Sequence, residues 1–372
     1  MKLSFAQLGA VLSAYVVKNK ISVASFVETR DNLVGLLDTI GKNFTFDTSY
    51  VDKLAEFDGE ELSYGKTIEE WQQDLMLPED YSPAGADALA PHNPTYRPVD
   101  FSYTLGRKMI PTSLKNNDIE RAVHNEGEFI SIASMRTKRL YDSVAVWRYG
   151  VKREILAKLI ALCDKVKTDA TAYAAATSFA VGAYIKGGSP VVYGVVVKAI
   201  TGGASDTNTW AKCLSGGYVI LLDLVSEIAA PTDTASGEAF IKQVKSDVEI
   251  ASDISEGHSL NGNTLGATEG LVLLVKQGVI PSVEVDVLAG AFHEDKVAMP
   301  AEVKVIKDFG SDNTDVFAIL MDKRGMRLHN TYRAVRENLN GAGDFLNIFY
   351  HSEDTAHISR NTFVKIYRKL SA

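Results

Sequence analysis

The feature that most constrains the fold is a strand of strictly alternating polarity at residues 99–105. Its apolar side chains fall on one face, and polar side chains occupy the positions between them: Val99, Phe101, Tyr103 and Leu105. This period of two is typical of a half-buried strand. A second extended run lies upstream at residues 68–77, so we predict one long two-stranded arm. Because two isolated strands are marginally stable in water, the pattern indicates a protein whose arm is completed by its neighbours.

A long helix is predicted downstream of the arm, from about residue 128 to residue 173. Apolar residues recur there at spacings of three or four, which is the signature of one apolar helix face: Leu140, Val144, Trp147, Val151, Ile155, Leu159, Cys163 and Val166. We expect a bend near Gly150. If residues 144–173 are continuous, that part alone is about 45 Å long at about 1.5 Å per residue.

Size and charge exclude some classes of protein. A chain of 372 residues exceeds a single typical core, which predicts about two domains. The formal net charge of -8 argues against tight binding to a phosphate backbone, which needs clustered Lys and Arg. The most apolar runs, residues 190–200 and 218–230, are too short to span a membrane. Two cysteines, Cys163 and Cys213, cannot form a disulfide framework, and we predict that both are reduced core residues.

The second half of the chain mixes helices and strands, as a compact α/β or α+β domain does. We predict a helix over residues 218–228 and another one capped by Ser236. Residues 322–325 would form a tight hairpin turn, with Gly325 at the position that tolerates a positive φ. The remaining strands are predicted at residues 271–275, 303–309, 316–321, 326–332, 345–351 and 362–367.

Candidate catalytic and metal motifs fail one by one. Residues 65–67 are Gly-Lys-Thr, as at the end of a phosphate-binding loop. Such a loop needs a second glycine five residues before this one, and Glu60 stands at that position. The tripeptide therefore cannot be a phosphate-binding loop. The Asp-Phe-Gly at residues 308–310 imitates a kinase metal motif without the catalytic loop upstream, and we predict a strand-ending turn. No zinc motif and no nucleophile elbow occurs. The sequence therefore predicts no catalytic residue, no cofactor and no metal site.

The order of these elements resembles a known family. An N-terminal arm, a long β-hairpin, a long spine helix, an inserted α/β block and returning strands follow one another as in the Hong Kong 97-type α+β fold of tailed-phage capsid proteins. The closer resemblance is to the major head protein of phi-twenty-nine-like podophages. Residues 177–265 match poorly. The resemblance is carried by short collinear stretches: residues 65–70, 72–74, Asp118 with the helical segment behind it, 316–323, 347–351 and 358–360.

The resemblance implies a domain organisation. It implies an N-terminal arm at residues 1–61 and a hairpin called the E-loop at residues 62–113. A peripheral domain with the spine helix follows at residues 114–214 and an axial domain at residues 215–310. Residues 311–372 are the returning strands of the peripheral domain. In this fold the E-loop lies over a neighbouring subunit. That placement makes six residues the predicted inter-subunit interface: Trp71, Tyr96, Val99, Phe101, Tyr103 and Leu105.

The resemblance also implies a function and partners. It implies a major capsid protein that self-assembles into hexamers and pentamers and forms the icosahedral or prolate head of a tailed phage. The implied partners are further copies of the chain, a scaffolding protein, a portal, and double-stranded DNA packaged without sequence-specific binding; no membrane is involved. The protein would be assembled in the host cytoplasm and reside in the virion. An acidic inner wall would repel the incoming duplex rather than trap it.

Three alternatives stay open. The alternating strand could pack on the core of its own domain, and Trp71 and Tyr96 could be ordinary hairpin pairs. An encapsulin-type nanocompartment has the same fold but encloses cargo enzymes. A soluble α/β enzyme with a cryptic site is the alternative from another class, and it predicts a small oligomer with a deep polar pocket.

Overall fold

The structure is a computed structural model that describes residues 50–62, 65, 67–73, 75, 96–100, 102–115, 126–279 and 301–370. A short 3₁₀-helix spans Ala55–Phe57. The other elements follow in chain order: β1 Glu69–Gln73, β2 Tyr96–Asp100, β3 Ser102–Thr104, β4 Lys108–Lys115, α1 Glu126–Thr168, β5 Thr171–Ala172, β6 Tyr184–Gly187, β7 Val192–Val196, α2 Trp210–Ser215, β8 Val219–Leu221, β9 Val225–Ile228, α3 Thr234–Ala251, β10 Leu271–Lys276, β11 Glu302–Ile306, β12 Val316–Asp322, β13 Met326–Asn340, β14 Phe345–Ile358 and β15 Val364–Lys369.

Helix α1 is the longest element and confirms the predicted spine. Its 43 residues make a rod of about 65 Å at about 1.5 Å per residue. The helix runs without interruption through Gly150 and ends at Thr168, earlier than predicted, because Thr171–Ala172 already forms a strand. Most of the predicted apolar face is buried: Leu140, Val144, Ile155, Leu159, Cys163 and Val166.

A five-stranded sheet forms the centre of the molecule, in the order β11-β10-β12-β15-β9. One face packs on α1 in the main hydrophobic core, and the other packs on α3 through Phe240, Ile241 and Val244. Every residue of β12 is buried, because a strand covered on both faces has no solvent side to carry an alternating pattern. The strands predicted at residues 271–275, 303–309, 316–321 and 362–367 are confirmed here.

A second sheet is built around the long hairpin β13–β14. The two strands are antiparallel, and β14 pairs on its other side with β3 and β4. The N-terminal half of α1 packs on this sheet in a separate apolar cluster: Leu114, Leu140, Val144, Leu346, Ile348 and Tyr350. The predicted strand at residues 345–351 is therefore the first half of a longer one.

A third, smaller sheet has its own core. Strands β5 to β8 lie side by side in chain order, and α2 packs beside them. The apolar side chains between them form a cluster separate from the others: Phe179, Ile185, Val196, Ile200, Cys213 and Val219. Cys163 and Cys213 are both buried and free, as predicted. In the ranges that the structure describes, no helix is both long and apolar enough to cross a membrane.

Two predicted helix features are wrong. Residues 218–228 form strands β8 and β9 in two different sheets, because the apolar run serves two cores rather than one helix face. Helix α3 exists as predicted, but its N-cap is Asp233. The Asp233 carboxylate accepts a hydrogen bond from the backbone N–H of Ser236 at 2.8 Å. In return, the Ser236 hydroxyl accepts a hydrogen bond from the backbone N–H of Asp233, which completes a capping box. Both residues are good caps, and their spacing of three assigns Ser236 to the third helical position.

The predicted hairpin at residues 322–325 is also wrong. Strand β12 pairs with β10 and β15, whereas β13 pairs with β14, so the turn connects two sheets. Gly325 does not take a positive φ. It is needed for close approach, since a Cβ there would lie 2.9 Å from Cε of Met321 and 3.0 Å from the carbonyl oxygen of Asp322.

Candidate inter-subunit surface

The two-stranded arm predicted from the alternating pattern exists at its base. Strand β1 pairs antiparallel with β2, and Trp71 lies opposite Pro98. The alternating run is nevertheless divided between two sheets. Strand β3 leaves the arm and pairs with β14, where Tyr103 lies opposite Ala356. The next backbone N–H, of Leu105, donates to the Asp354 carbonyl at 2.9 Å.

The six predicted interface residues fall into three groups. Trp71 lies in β1, and Tyr96 and Val99 lie in β2. Phe101 lies outside the described residues. Tyr103 and Leu105 lie at and just beyond the strand that joins β14.

Tyr103 and Leu105 both contact their own chain. The Tyr103 side chain is 36% exposed, and Nζ of Lys158 on α1 lies 4.5 Å from its ring centroid, within cation–π range. Leu105 is partly buried and packs against the main core. For Leu105 these contacts favour the alternative in which the strand packs on its own domain. Tyr103 keeps an accessible face, and its contact with a neighbouring subunit stays a prediction.

Glu70 anchors the base of the arm to the body of the subunit. Its Oε2 accepts hydrogen bonds from the hydroxyl of Ser359 and the side-chain amide of Asn361, both at 3.0 Å, and its Oε1 lies 3.2 Å from Nε2 of His357. Burial raises the pKa of Glu70, but the hydrogen bonds from His357 and Ser359 outweigh it and hold the pKa below its usual value. Sequence reasoning missed this anchor, because a lone Glu in a strand carries no signal of partners about 290 residues away.

A buried cluster of charges fixes residues 50–62 to the spine helix. Nζ of Lys152, which is fully buried, lies 2.6 Å from carboxylate oxygens of Asp52 and Asp58. The Arg148 guanidinium bonds Asp354 at 2.8 Å and Asp58 at 2.9 Å. Burial raises the pKa of Asp58, yet the hydrogen bonds from Lys152 and Arg148 lower it below its usual value. The cluster therefore joins three elements that are remote in sequence.

The end of the predicted N-terminal arm also belongs to the main core. Leu54 and Phe57 are fully buried there, and the backbone N–H groups of Gly59 and Leu62 donate to β13. The division of the chain into five segments stays a prediction. Strands β12 and β15, assigned to the returning segment, lie in one sheet with β9, β10 and β11 of the predicted axial domain.

The acidic loop after β11 is held by cations of the chain itself. Asp308 accepts the Gly310 N–H at 3.0 Å and pairs with Arg153, and Asp315 lies 2.7 Å from Nε of Arg368. Gly310 has a φ of 93°, so residues 308–310 are the strand-ending turn that was predicted. Across the described part of the chain, no group of three or more His, Cys, Asp or Glu residues could hold a metal ion.

The chain is similar to one known protein family and to several solved structures. A family model described as Phi29-like phage major capsid protein matches residues 8–185 and 230–364, which is most of the chain. No curated protein matches. Among solved structures, the capsid of Staphylococcus phage Andhra aligns with 10% identity and a TM-score of 0.59 over 90% of this chain and 88% of that chain. The capsid of the cyanophage P-SCSP1u aligns with 8% identity and a TM-score of 0.52 over 91% of this chain and 95% of that chain. At these identities the likeness shows a shared fold.

Proposed function

This chain belongs to the Phi29-like phage major capsid protein family, and from that premise we propose how it builds a head. It is a phage major capsid protein with a Hong Kong 97-type fold. We propose that copies associate into hexamers and pentamers and that the arm of each subunit lies over its neighbour. The encapsulin alternative is not favoured, since the family match is to phage capsid proteins.

The observation that supports an overlapping arm is its isolation. Strands β1 and β2 form a sheet of two, and neither has a further partner strand among the residues that the structure describes. Such a pair is marginal in water by itself, and burial against a neighbour contributes about 25 cal/mol per Å² of apolar area before association costs. The Glu70 contacts fix the base of the arm to the body of the subunit.

Two substitutions on the alternating face test this proposal. Phe101→Asp or Tyr103→Asp should abolish closed shells and leave a soluble, folded subunit, because a charge would be buried at the contact. Electron microscopy and circular dichroism measure the two outcomes. The control is Ile254→Asp, which charges an apolar side chain that is 74% exposed and lies outside the arm; it should still form shells. Complete misfolding of the Phe101→Asp or Tyr103→Asp variant would instead support packing on the chain's own core.

We further propose that the chain has a purely structural role in the virion. A scaffolding protein and a portal would direct closure during assembly in the host cytoplasm. Double-stranded DNA would be packaged without specific binding, in line with the net charge of -8. Unassembled subunits should therefore form no salt-sensitive complex with duplex DNA, since such a complex requires several phosphate contacts. A complex that dissociates as salt rises would contradict this part of the proposal.

The first experiment is expression of the chain alone and together with its neighbouring genes. Size-exclusion chromatography and negative-stain electron microscopy should then show closed shells, tubes or ring-shaped capsomers. A strictly monodisperse monomer, even under crowding and with a candidate scaffold present, would contradict self-assembly.

A further inference from the structure

An apolar cleft opens beside the point where the described chain begins. It has a volume of about 420 Å³, and three parts of the molecule line it: residues 50–53, the middle of α1, and the ends of β10 and β11. Tyr50, Val51 and Val146 line it and are 48%, 79% and 51% exposed. An exposed apolar patch of this kind marks a surface that something else covers.

The lining of the cleft is tied to the body of the subunit and includes two cations. The backbone N–H of Lys307 donates to the Tyr149 hydroxyl at 3.1 Å, so two residues that line the cleft join α1 to the end of β11. Ile306 also lines the cleft and belongs to the main core. Lys53 and Lys307 line the cleft as well, and both are exposed. The site therefore suits an apolar segment that carries a negative charge.

One side of the cleft is an open sheet edge. Strand β11 is the outermost strand of the five-stranded sheet and pairs only with β10 within the described residues. Val305 and Ile306 of this strand line the cleft. An unpaired edge next to an apolar cleft can accept an extended segment.

The chain immediately before Tyr50 has the chemistry that the cleft requires. Residues 44–49 have the sequence Phe-Thr-Phe-Asp-Thr-Ser, in which Phe44 and Phe46 alternate and Asp47 is the only charged residue. In an extended segment, alternate side chains point to the same face. This segment ends at Tyr50, which itself lines the cleft.

We propose that Phe44 and Phe46 occupy this cleft on their own chain and that Asp47 lies against Lys53 and Lys307. The space suffices, because a cavity of about 150 Å³ accommodates one benzene ring and the cleft measures about 420 Å³. Six residues span at most about 21 Å. Because Tyr50 itself lines the cleft, Phe44 and Phe46 stay within reach of it. Docking of residues 44–49 thereby fixes the point at which residues 1–43 join the body of the subunit.

A disulfide between the segment and the cleft tests the proposal. The full-length variant Phe46→Cys/Val146→Cys, oxidised under mild conditions, should form an intrachain disulfide that mass spectrometry of tryptic peptides detects. The native Cys163 and Cys213 are buried and should not react. The matched control is Phe46→Cys/Ile254→Cys, because Ile254 is apolar and even more exposed than Val146 but does not line the cleft. It should give only background cross-linking.

Each other outcome overturns the proposal. Equal cross-linking in the two variants, or none in either, would show that residues 44–49 do not dock at Val146. A disulfide-linked dimer on a non-reducing gel would show that the segment of a second copy occupies the cleft. As an independent measurement, Phe44→Ser/Phe46→Ser should increase amide hydrogen exchange at residues 305–307. Unchanged exchange there would also contradict docking, and it would leave the capsid assignment intact.

Discussion

At the scale of single residues, Glu70 joins the arm to the body of the subunit. Its carboxylate has three partners, which lie in one short stretch at and just beyond the end of β14: His357, Ser359 and Asn361. Asn361 continues the network, because its Oδ1 accepts from the side-chain amide of Asn261 at 2.7 Å. The Glu70 carboxylate therefore ties the base of the arm to the body of the subunit through polar contacts.

Replacing Glu70 by Gln should loosen this anchor. The amide replaces one carboxylate oxygen by an NH₂ group and removes the charge, so either the contact with His357 or the two hydrogen bonds from Ser359 and Asn361 are lost. We expect a loss of about 1 kcal/mol in the free energy of unfolding. Denaturant unfolding measures the loss, and hydrogen exchange should rise at residues 67–73. The control is Glu69→Gln on the exposed side of the same strand, which should change stability by less than about 0.5 kcal/mol. Equal effects of the two substitutions would contradict the anchor.

Acid should remove the same contribution. The pKa of Glu70 in the folded protein lies below its ordinary value of 4.5, so the unfolded chain takes up the proton first as the pH falls. The stabilisation is complete above pH 4.5 and declines as the pH falls through the lowered pKa. Unfolding measured at decreasing pH should show the difference between wild type and Glu70→Gln shrinking below 4.5. A difference that stays constant in acid would argue against a charged Glu70.

Lys152 should be among the costliest polar residues to replace. It is fully buried between Asp52 and Asp58, and Lys152→Met would leave two carboxylates close together without their shared cation. Breaking such a pair costs about 3 kcal/mol or more, which thermal or denaturant unfolding would detect. Lys165→Met, on the exposed side of the same helix, is the control and should cost less than about 0.5 kcal/mol. Similar losses in both would contradict the structural role of the charge cluster.

At the scale of elements, two glycines, one inside α1 and one in a turn that contacts α1, should respond oppositely to alanine. Gly150 lies inside α1, and a Cβ there would meet nothing within 4 Å, so Gly150→Ala should stabilise the protein by about 0.5–1 kcal/mol. Gly310 has a φ of 93° and its Cβ would lie 3.3 Å from that of Ala157. Gly310→Ala should therefore destabilise the protein by about 1–2 kcal/mol. Denaturant unfolding of both variants decides the signs, and a loss of stability at Gly150 would mean that the helix needs a flexible joint there.

At the scale of the whole molecule, the small sheet has an apolar cluster of its own. This cluster is separate from the main core, although Tyr184 and Tyr193 of the same sheet pack against that core. The family match omits residues 186–229, which contain β7, α2, β8 and β9. The long helix, β10 to β12 of the five-stranded sheet and the β13–β14 hairpin lie within the matched ranges, whereas β9 and nearly all of β15 lie outside them. The matched ranges therefore contain most of the main core, whereas β7 and β8 of the small sheet lie outside them.

The separate apolar cluster of the small sheet predicts that this sheet can unfold locally. Ile185 is fully buried in the cluster of the small sheet, and Ile185→Ala should cost about 2–5 kcal/mol through the cavity that it leaves. The loss should appear as faster hydrogen exchange across residues 171–221, with β10 and β12 still protected. Leu273→Ala in β10, also fully buried, is the control and should speed exchange throughout the molecule. Global exchange in the Ile185 variant would contradict the independence of the small sheet.

The sequence by itself determined the features that depend on local periodicity. The apolar spacing of α1, the continuous apolar runs of β10 and β12, the burial of both cysteines and the extended strands at the base of the arm were predicted correctly, because side-chain spacing reports directly which faces are buried. Only the tertiary structure decided which strands pair. Tyr103 lies opposite Ala356, and residues 218–228 divide between two sheets, because pairing depends on hydrogen bonds between backbones remote in sequence. The partners of Glu70 and Lys152 were hidden for the same reason: an ion pair has no period along the chain.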